Sequence, residues 1–407
     1  MANIRSSAAT AVLALPLSLS LSLSLSLAGT AQAASSPSTV PSSVTASAAA
    51  STAPVFRAVL PRPTGRYEAG VDIMHVVDWN RPDPWVPSAG PRQLMVSMFY
   101  PAQPRTGEPA PYMTLGEAAA FIQTRVPPGS GIQPQQLAGA ETYAFSGARA
   151  VHGRFPLVVL SPGFENPRNV MTSLATDLAS HGYVVALVDH TYEDSGTTFP
   201  DGQTLTCAIC DSGPLPGQES VPDSRARDVS FVLDQLTGRH PAWARAGMID
   251  PERIGMAGHS IGGASVVSTM AADPRVRAGV NLDGTFLAPV PAGGLGGRPF
   301  LMLGTQIDHN VGGSDPTWGQ AWAALNGHKL WLTVAGTVHT SFTDIPILAS
   351  EANIPIPGAQ ISSTRAMQIT REYVDAFFDQ TLKGVPQRLL EGPSATNPEV
   401  SFQGLEP

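Results

Sequence analysis

Short apolar runs alternate with amphipathic segments through the second half of the chain. From Pro156 onward, runs suited to strands buried on both faces are each followed by apolar residues at helical spacing. The predicted strands cover residues 157–160, 183–189, 253–257, 276–283, 299–304 and 329–334. The predicted helices cover residues 169–181, 224–236, 261–271, 317–325 and 364–382. Such strands belong in a parallel sheet covered by helices on both sides, so the pattern predicts an α/β fold that binds ligands beyond the C-terminal strand ends.

The pattern before Pro156 is different. Residues 70–79 and 93–100 alternate apolar and polar positions and flank a proline-rich stretch, which predicts a pair of antiparallel strands. Residues 118–150 mix a short helical stretch with Pro127-Pro128-Gly129. We expect this segment to lie across the sheet rather than in it.

The N-terminus has the pattern of an export signal. Arg5 precedes an apolar stretch over residues 8–28, and Ala31-Gln32-Ala33 follows. This predicts a secretory signal peptide over residues 1–33, cleaved after Ala33. Residues 34–54 are rich in Ser, Ala, Thr and Pro without charge, which is typical of a flexible leader. We expect residues 55–407 to form a single catalytic domain that is secreted, and no later segment is apolar for long enough to predict a membrane span.

Composition and charge narrow the class of partner. The chain has 43% hydrophobic and 14% charged residues, a balance that excludes intrinsic disorder for most of its length. Its formal net charge is -8, and its two lysines are Lys329 and Lys383. No basic stripe follows from this distribution, so a nucleic-acid partner is not expected.

The first chemical motif is Gly258-His259-Ser260-Ile261-Gly262. It follows the predicted strand 253–257 and precedes the predicted helix 261–271, which is the context of a nucleophile elbow. Glycines at 258 and 262 allow the tight turn that would expose the Ser260 hydroxyl. A G-x-S-x-G arises by chance in glycine-rich chains, but that interpretation ignores its place between strand and helix. The motif therefore predicts a serine nucleophile.

A serine hydroxyl needs a base, and His339 is the candidate. It lies just after the predicted strand 329–334 and before the last helix, where the order serine, acid, histidine places the base. A lone histidine is more often a hydrogen-bonded loop residue, but the chain order favours catalysis here. His259 is adjacent to the serine, and we expect its side chain to point away from Oγ and to serve packing.

The residues alone leave two candidates for the acid. Asp283 ends the predicted strand 276–283, and Asp308 follows the predicted strand 299–304. Asp308 is at the more usual strand for this type of fold, whereas Asp283 ends its strand abruptly and is followed by glycine. Their positions in the sequence therefore do not decide which of the two aspartates is the acid. Oxyanion stabilisation is expected from the backbone N–H groups of Ile261, directly after the nucleophile, and of Phe164, after the first parallel strand.

The chain resembles the plasma-type platelet-activating factor acetylhydrolase family of α/β-hydrolases. Four blocks carry the resemblance: LVVLSPGF at 157–164, DLASHGYVVALVDH at 177–190, GHSIGG at 258–263 with NLDGTF at 281–286, and GTVHTSFTD at 336–344. The resemblance implies the α/β-hydrolase fold, with Asp283 as the acid in preference to Asp308. It also implies short-acyl or oxidised phospholipids as substrates. The family often reads Ser-His-Gly-Leu where this chain has Ser161-Pro162-Gly163-Phe164, so we expect an altered pocket wall.

Three functional hypotheses follow. The first is a secreted serine esterase that acts on small-molecule or lipid esters without a metal or other cofactor. The second is a general short-chain lipase or esterase, or a cutinase-like polyester hydrolase. The third, weaker because all three triad residue types stand in order, is a binding protein that kept the fold without catalysis.

Two further features complete the predictions. Cys207 and Cys210 are the two cysteines, and in an exported chain they are expected to form a disulfide that fixes a surface loop. Residues 285–297 border the predicted site. Their glycines and apolar residues suit either a mobile lid or an ordinary long loop, and the sequence does not separate these alternatives.

Overall fold

The computed structural model describes residues 58–211, 213–214 and 220–404. The signal peptide predicted over residues 1–33 and the leader predicted over residues 34–54 lie outside the described residues, as do the first three residues of the predicted catalytic domain. None of the helices in the described part combines the length and apolarity needed to cross a bilayer.

One mixed sheet organises the molecule. The strands are β1 (Glu68–Pro82), β2 (Pro91–Ala102), β3 (Glu108–Pro109), β4 (Ala144–Ser146), β5 (Phe155–Ser161), β6 (Val184–Val188), β7 (Thr197–Thr198), β8 (Thr204–Leu205), β9 (Ile249–His259), β10 (Val276–Leu282), β11 (Phe300–Thr305), β12 (Lys329–Val334) and β13 (Val400–Gln403). Eleven of them pair in the order β13-β12-β11-β10-β9-β5-β6-β2-β1-β4-β3, and β7 pairs with β8. The central strands from β12 to β6 are parallel.

Helices lie between many of the strands. They are α1 (Leu115–Arg125), α2 (Pro134–Ala138), α3 (Thr172–Ser180), α4 (Val221–Thr237), α5 (Ile261–Ala272), α6 (Gln306–His309), α7 (Pro316–Ala324), α8 (Ile345–Glu351) and α9 (Ser363–Leu382). Helix α4 begins at a serine cap, since Ser220 Oγ accepts the Asp223 N–H. Short 3₁₀ turns lie between some of these elements, including one over His339–Phe342.

Alternate residues of the central strands face two separate cores. In β5, Leu157 and Val159 pack into the core that contains Val266 of α5, whereas Val158 and Leu160 pack into the core that contains Phe377 of α9. Because both faces of the strand are covered, the run reads as continuously apolar in the sequence. The predicted α/β-hydrolase fold, with a mostly parallel sheet and helices on both faces, is confirmed.

The antiparallel pair predicted at the start of the domain is also present. Strands β1 and β2 pair antiparallel, with Gly70 opposite Tyr100. The expectation for residues 118–150 was wrong in part, because β4 within this segment joins the sheet parallel to β1 and pairs antiparallel with β3. Such short edge strands carry too few residues for an alternating pattern to be recognised, and their pairing depends on the neighbouring strand.

Candidate active site

Ser260 occupies a sharp turn between β9 and α5. Its φ of 56° lies in the left-handed region, which side chains other than glycine seldom adopt. The turn brings backbones into contact, because a Cβ on Gly258 would lie 2.2 Å from the Gly262 carbonyl carbon, and one on Gly262 would lie 2.1 Å from the Ser161 oxygen. Both glycines are therefore required by the close approach of the chain, as the elbow motif predicted.

Ser260, His339 and Asp283 form one hydrogen-bonded chain. Ser260 Oγ lies 2.9 Å from His339 Nε2, and His339 Nδ1 lies 2.6 Å from Asp283 Oδ2. The histidine side chain is 52% exposed and the Asp283 side chain is 1% exposed, so the carboxylate is buried behind an imidazole that solvent reaches. Asp308, the alternative acid, is exposed and accepts a hydrogen bond from Ser314 Oγ at 2.8 Å. The structure thus pairs the histidine with Asp283.

The Asp283 carboxylate is held in its ionised form. Burial alone would raise its pKa, but hydrogen bonds and charge from His309 and His339 outweigh burial and hold the pKa well below the ordinary value. Asp283 Oδ1 also accepts the backbone N–H of Thr305 at 2.6 Å. An ionised acceptor beside His339 Nδ1 holds the proton on that nitrogen, so Nε2 is the acceptor for the Ser260 hydroxyl.

A cavity of about 600 Å³ opens over the serine. Its described lining combines the three site residues with an apolar wall and a polar wall: Phe164, Gly213, Pro214, Val221, Ile261, Thr285, Leu287, Asp308, His309, Ser314 and Asp315. The two expected oxyanion donors belong to residues on the apolar side. Ile261 is the first residue of α5, so its N–H has no acceptor within the helix. Phe164 follows the carboxyl end of β5 and packs in the same apolar cluster as Ile261.

A buried charge network lies behind the loop that carries Phe164. Arg225 donates to the Pro162 carbonyl oxygen and, at 3.2 Å, to Ser161 Oγ. The same guanidinium donates through Nε to Glu193 Oε2 at 2.7 Å, and both side chains are almost completely buried. Burial raises the pKa of Glu193, which its two arginine neighbours, Arg225 and Arg92, counteract. The network ties the loop after β5 to helix α4, and the sequence analysis did not identify it.

His190 extends this network as a neutral imidazole. Burial, reinforced by the charge of Arg225, lowers the pKa of His190 to about 3. Its Nδ1 lies 2.9 Å from Asp228 Oδ2 and its Nε2 lies 3.0 Å from Ser161 Oγ. A neutral ring donates to the carboxylate and accepts from the hydroxyl, so both contacts are satisfied.

His259 supports the loop of His339. Its Nε2 lies 2.7 Å from the His339 carbonyl oxygen, and the two rings are 4.7 Å apart. Burial, with a smaller contribution from the His339 charge, lowers the pKa of His259 to about 3, so this ring donates as a neutral imidazole. The residue packs beneath the base and its nitrogen reaches the His339 backbone.

The loop over residues 285–297 forms one wall of the cavity. Thr285 and Leu287 line the cavity, while Phe286, Val290 and Leu295 are buried in the core. Three buried anchors fix the loop along its length. The structure therefore favours a fixed wall over a mobile lid for this segment.

Cys207 and Cys210 form a disulfide, as expected. The tied loop packs on the apolar side of the site, since Cys207 and Ile209 belong to the same cluster as Phe164 and Ile261. The disulfide therefore supports the wall that carries both expected oxyanion donors, a role beyond the fixing of a surface loop.

Asp344 anchors the far end of the His339 loop. Burial raises its pKa to about 7, although N–H donation by Ser173 and the charge of Arg371 act in the opposite direction. The Ser173 N–H lies 3.1 Å from Asp344 Oδ2, and the Tyr112 hydroxyl donates to the same oxygen at 3.5 Å. Folding therefore favours the protonated form of the Asp344 carboxyl.

Replacing Asp344 by Asn is expected to flatten the pH dependence of stability. An acid with a raised pKa binds its proton more tightly in the folded state, so its ionisation destabilises the wild-type protein as pH rises from about 4 to about 7. The free energy of unfolding of D344N relative to wild type should therefore increase over this window, by up to about 4 kcal/mol. Urea denaturation at successive pH values measures it. D201N, at an exposed aspartate, should show the same pH dependence of unfolding free energy as wild type. A difference between D344N and wild type that is constant at every pH would contradict the raised pKa of Asp344.

Comparison with known proteins places this site in a family of esterases. The model of the family described as platelet-activating factor acetylhydrolase, isoform II, matches residues 138–204 and 242–385. A probable 1-alkyl-2-acetylglycerophosphocholine esterase of Arthroderma benhamiae is 31% identical over 382 residues, which cover 84% of this chain and 93% of the relative. A bis(hydroxyethyl) terephthalate hydrolase of Streptomyces coelicolor is 32% identical over 130 residues, about a third of each chain.

A solved structure agrees with this placement. The ferulic acid esterase from Streptomyces cinnamoneus superposes with a TM-score of 0.75 and is 42% identical, covering 85% of this chain and 99% of that one. The family model and the fungal relative both include the segments that carry Ser260, Asp283 and His339. The chain belongs to the platelet-activating factor acetylhydrolase, isoform II, family.

Proposed function

We propose that the protein is an exported serine esterase in which Ser260 is the nucleophile, His339 the general base and acid, and Asp283 the residue that orients the imidazole. The observation that carries this proposal is the hydrogen-bonded chain from Ser260 Oγ through His339 to Asp283 at the floor of the cavity. The family and its esterase relatives make the protein a carboxylic ester hydrolase, which excludes the alternative of a binding protein without catalysis.

The reaction proceeds through an acyl-enzyme. Ser260 Oγ bonds to the ester carbonyl carbon while its proton moves to His339 Nε2, and the N–H groups of Phe164 and Ile261 bind the resulting oxyanion. When the carbonyl reforms, the carbon–oxygen bond to the alcohol breaks and the imidazolium returns the proton to the departing oxygen. Water then repeats both steps on the acyl-serine, releasing the carboxylic acid and restoring the hydroxyl.

Short-acyl phospholipid esters are the first substrate class. Family membership supports this choice, as does the fungal relative, whose name specifies an acetylglycerophosphocholine ester. A cavity of about 600 Å³ lies over the serine, and a short acyl chain fits against its apolar wall.

Esters of aromatic acids are the second class, favoured by a separate observation. Among the described residues that line the cavity, none is lysine or arginine, so a phosphate group would find no cationic partner there. Phe164, Val221 and Leu287 offer apolar surface on which an aromatic ring can pack. The similarity to the ferulic acid esterase and to the terephthalate ester hydrolase supports the same class.

Export is part of the proposal. The apolar stretch over residues 8–28 followed by Ala31-Gln32-Ala33 supports a cleaved signal, and the Cys207–Cys210 disulfide is compatible with an oxidising compartment. N-terminal sequencing of protein recovered from culture medium tests this. The mature chain should begin at Ala34.

Labelling with a fluorophosphonate tests the nucleophile. The secreted protein should take up one label, on the peptide that contains Ser260, and S260A should take up none. Hydrolysis of 4-nitrophenyl acetate by S260A should fall by about 10⁴-fold or more, because removal of the nucleophile leaves only binding and the oxyanion donors. S268A changes a serine of helix α5 that is outside the hydrogen-bonded chain, and this variant should keep both label and activity. Label on another residue of the wild-type protein would contradict the mechanism.

A substrate panel separates the two classes. The kcat/KM values for an acetyl glycerophosphocholine, a long-acyl phosphatidylcholine, methyl ferulate and bis(hydroxyethyl) terephthalate should be measured on the same preparation. Preference for the acetyl phospholipid over the long-acyl one and over both aromatic esters supports the first class. Preference for either aromatic ester would contradict the phospholipid class and support esters of aromatic acids as the substrates.

A further inference from the structure

A second histidine contacts the Asp283 carboxylate on the side away from His339. His309 is 5% exposed, and its Nδ1 lies 2.7 Å from Asp283 Oδ1, whereas His339 Nδ1 lies 2.6 Å from Oδ2. Each oxygen of the carboxylate therefore faces one imidazole. Within the described chain, the other hydrogen bond to Oδ1 comes from the Thr305 backbone N–H at 2.6 Å.

The contact fixes which nitrogen of His309 carries a proton. An ionised carboxylate only accepts hydrogen bonds, so Nδ1 of His309 is the donor toward Asp283. The opposite nitrogen, Nε2, lies 3.3 Å from Asp315 Oδ2, at the start of helix α7. His309 thus lies between Asp283, to which it donates, and the Asp315 carboxylate, with which it makes no hydrogen bond.

The surroundings hold the His309 ring in one plane. The ring stacks on Trp318, with centroids 4.1 Å apart and planes inclined by 19°. Its backbone carbonyl accepts the indole N–H of Trp331 at 2.6 Å. Two tryptophans from α7 and β12 therefore fix the ring and the backbone of His309, so that its Nδ1–H points at Asp283 without freedom to turn away.

We propose that His309 is a positioning residue for hydrolysis, whose Nδ1–H fixes the Asp283 carboxylate so that Oδ2 stays on His339 Nδ1. This inference rests on the proposed function of Ser260, His339 and Asp283. A carboxylate can rotate about its bond to Cβ, and that rotation would carry Oδ2 away from the base. Donors on both oxygens prevent the rotation, since each oxygen would lose its partner.

Two amide substitutions at position 309 separate positioning from packing. An asparagine amide nitrogen lies near the place of histidine Nδ1, whereas a glutamine amide nitrogen reaches the place of Nε2. H309N therefore keeps the donor to Asp283, and H309Q loses it. Both substitutions remove the ring that stacks on Trp318, and the smaller asparagine leaves the larger gap, so packing alone would make H309N at least as damaging as H309Q.

The kinetic constants for 4-nitrophenyl acetate measure the difference. We expect H309Q to lose about 10- to 100-fold in kcat with KM little changed, because the misplaced acid impairs the chemical step rather than binding. H309N should stay within about threefold of wild type in kcat because the donor to Asp283 is retained. H240Q, at an exposed histidine, serves as the matched control. Equal losses in H309N and H309Q, or a loss confined to KM, would overturn the inference.

Proton NMR of nitrogen-15-labelled histidine tests the same contact in the unaltered protein. The hydrogen-bonded Nδ1 protons of His309 and His339 should both resonate far downfield, since both donate to the buried carboxylate. A His309 whose Nδ1 carries no proton would overturn the inference. S260A separates this result from the proposed function: activity retained by S260A refutes the mechanism itself, whereas an inactive S260A with equal H309N and H309Q refutes only the role of His309.

Discussion

Replacing Asp283 by Asn should lower kcat by about 10⁴-fold, the largest effect that we expect from a change of one atom type in this protein. The amide cannot accept the Nδ1–H of His339 and the Nδ1–H of His309 together, because only one of its two terminal atoms is an acceptor. His339 then loses the tautomer that leaves Nε2 free for the Ser260 proton. Steady-state hydrolysis of 4-nitrophenyl acetate measures kcat, and thermal unfolding verifies the fold.

D308N is the matched variant, because Asp308 was the alternative acid. Its carboxylate is exposed and bonded to Ser314, so its loss should lower kcat by about tenfold or less. A larger loss in D308N than in D283N would exchange the roles of the two residues and remove the basis of the His309 inference.

Replacing Arg225 by Met should destabilise the fold by about 3 to 5 kcal/mol, because it leaves Glu193 buried without its nearest cation. The Pro162 carbonyl also loses its donor, so the loop that carries Phe164 is released and kcat should fall as well. Chemical denaturation gives the free energy of unfolding.

The double variant R225M/E193Q should recover part of that loss, since no ionised carboxylate then remains beside the methionine. R239M, at an exposed arginine, should stay within about 0.5 kcal/mol of wild type. A loss in R225M no larger than that of R239M would show that the network contributes nothing to stability.

The predicted elements with clear periodicity agree closely with the structure. Strand β12 has the predicted bounds 329–334, and helix α5 extends the prediction for 261–271 by one residue, because strands covered on both faces and helices between them leave unambiguous patterns. Strand β13, of four residues at the sheet edge, was not predicted. It pairs antiparallel with β12, and nothing within those four residues specifies that partner.

In the candidate site, too, the residues with a local sequence signal were predicted and those without one were missed. Ser260 and His339 carry signals that are local in the sequence, a glycine-framed motif and a position after a strand, and the structure brings them to 2.9 Å. The choice between Asp283 and Asp308 needed the family resemblance, because both follow strands at the same edge. His309 was missed although it is adjacent to Asp308, since its contact with Asp283 depends on how two strand ends meet.

The buried charges were missed for a related reason. Arg92 and Asp228 are 136 positions apart, yet their side chains lie 2.7 Å apart in the core. No local pattern distinguishes a buried arginine from a solvated one. The composition held a weak signal, because in a chain with only 14% charged residues few of them need to be explained by surface solvation alone.

The disulfide between Cys207 and Cys210 links the packing around Phe164 and Ile261 to the redox state of the compartment in which the protein folds. The disulfide-bonded loop packs in one cluster with Phe164 and Ile261, the residues whose N–H groups are proposed to bind the oxyanion. Glutathione and thioredoxin keep such cysteines reduced in the cytosol of most cells. Protein prepared from a reducing cytoplasm would thus lack the covalent link beneath Phe164 and Ile261 that the disulfide-bonded form has. Substrate preferences compared between laboratories are meaningful only when the thiol state of the preparation is known.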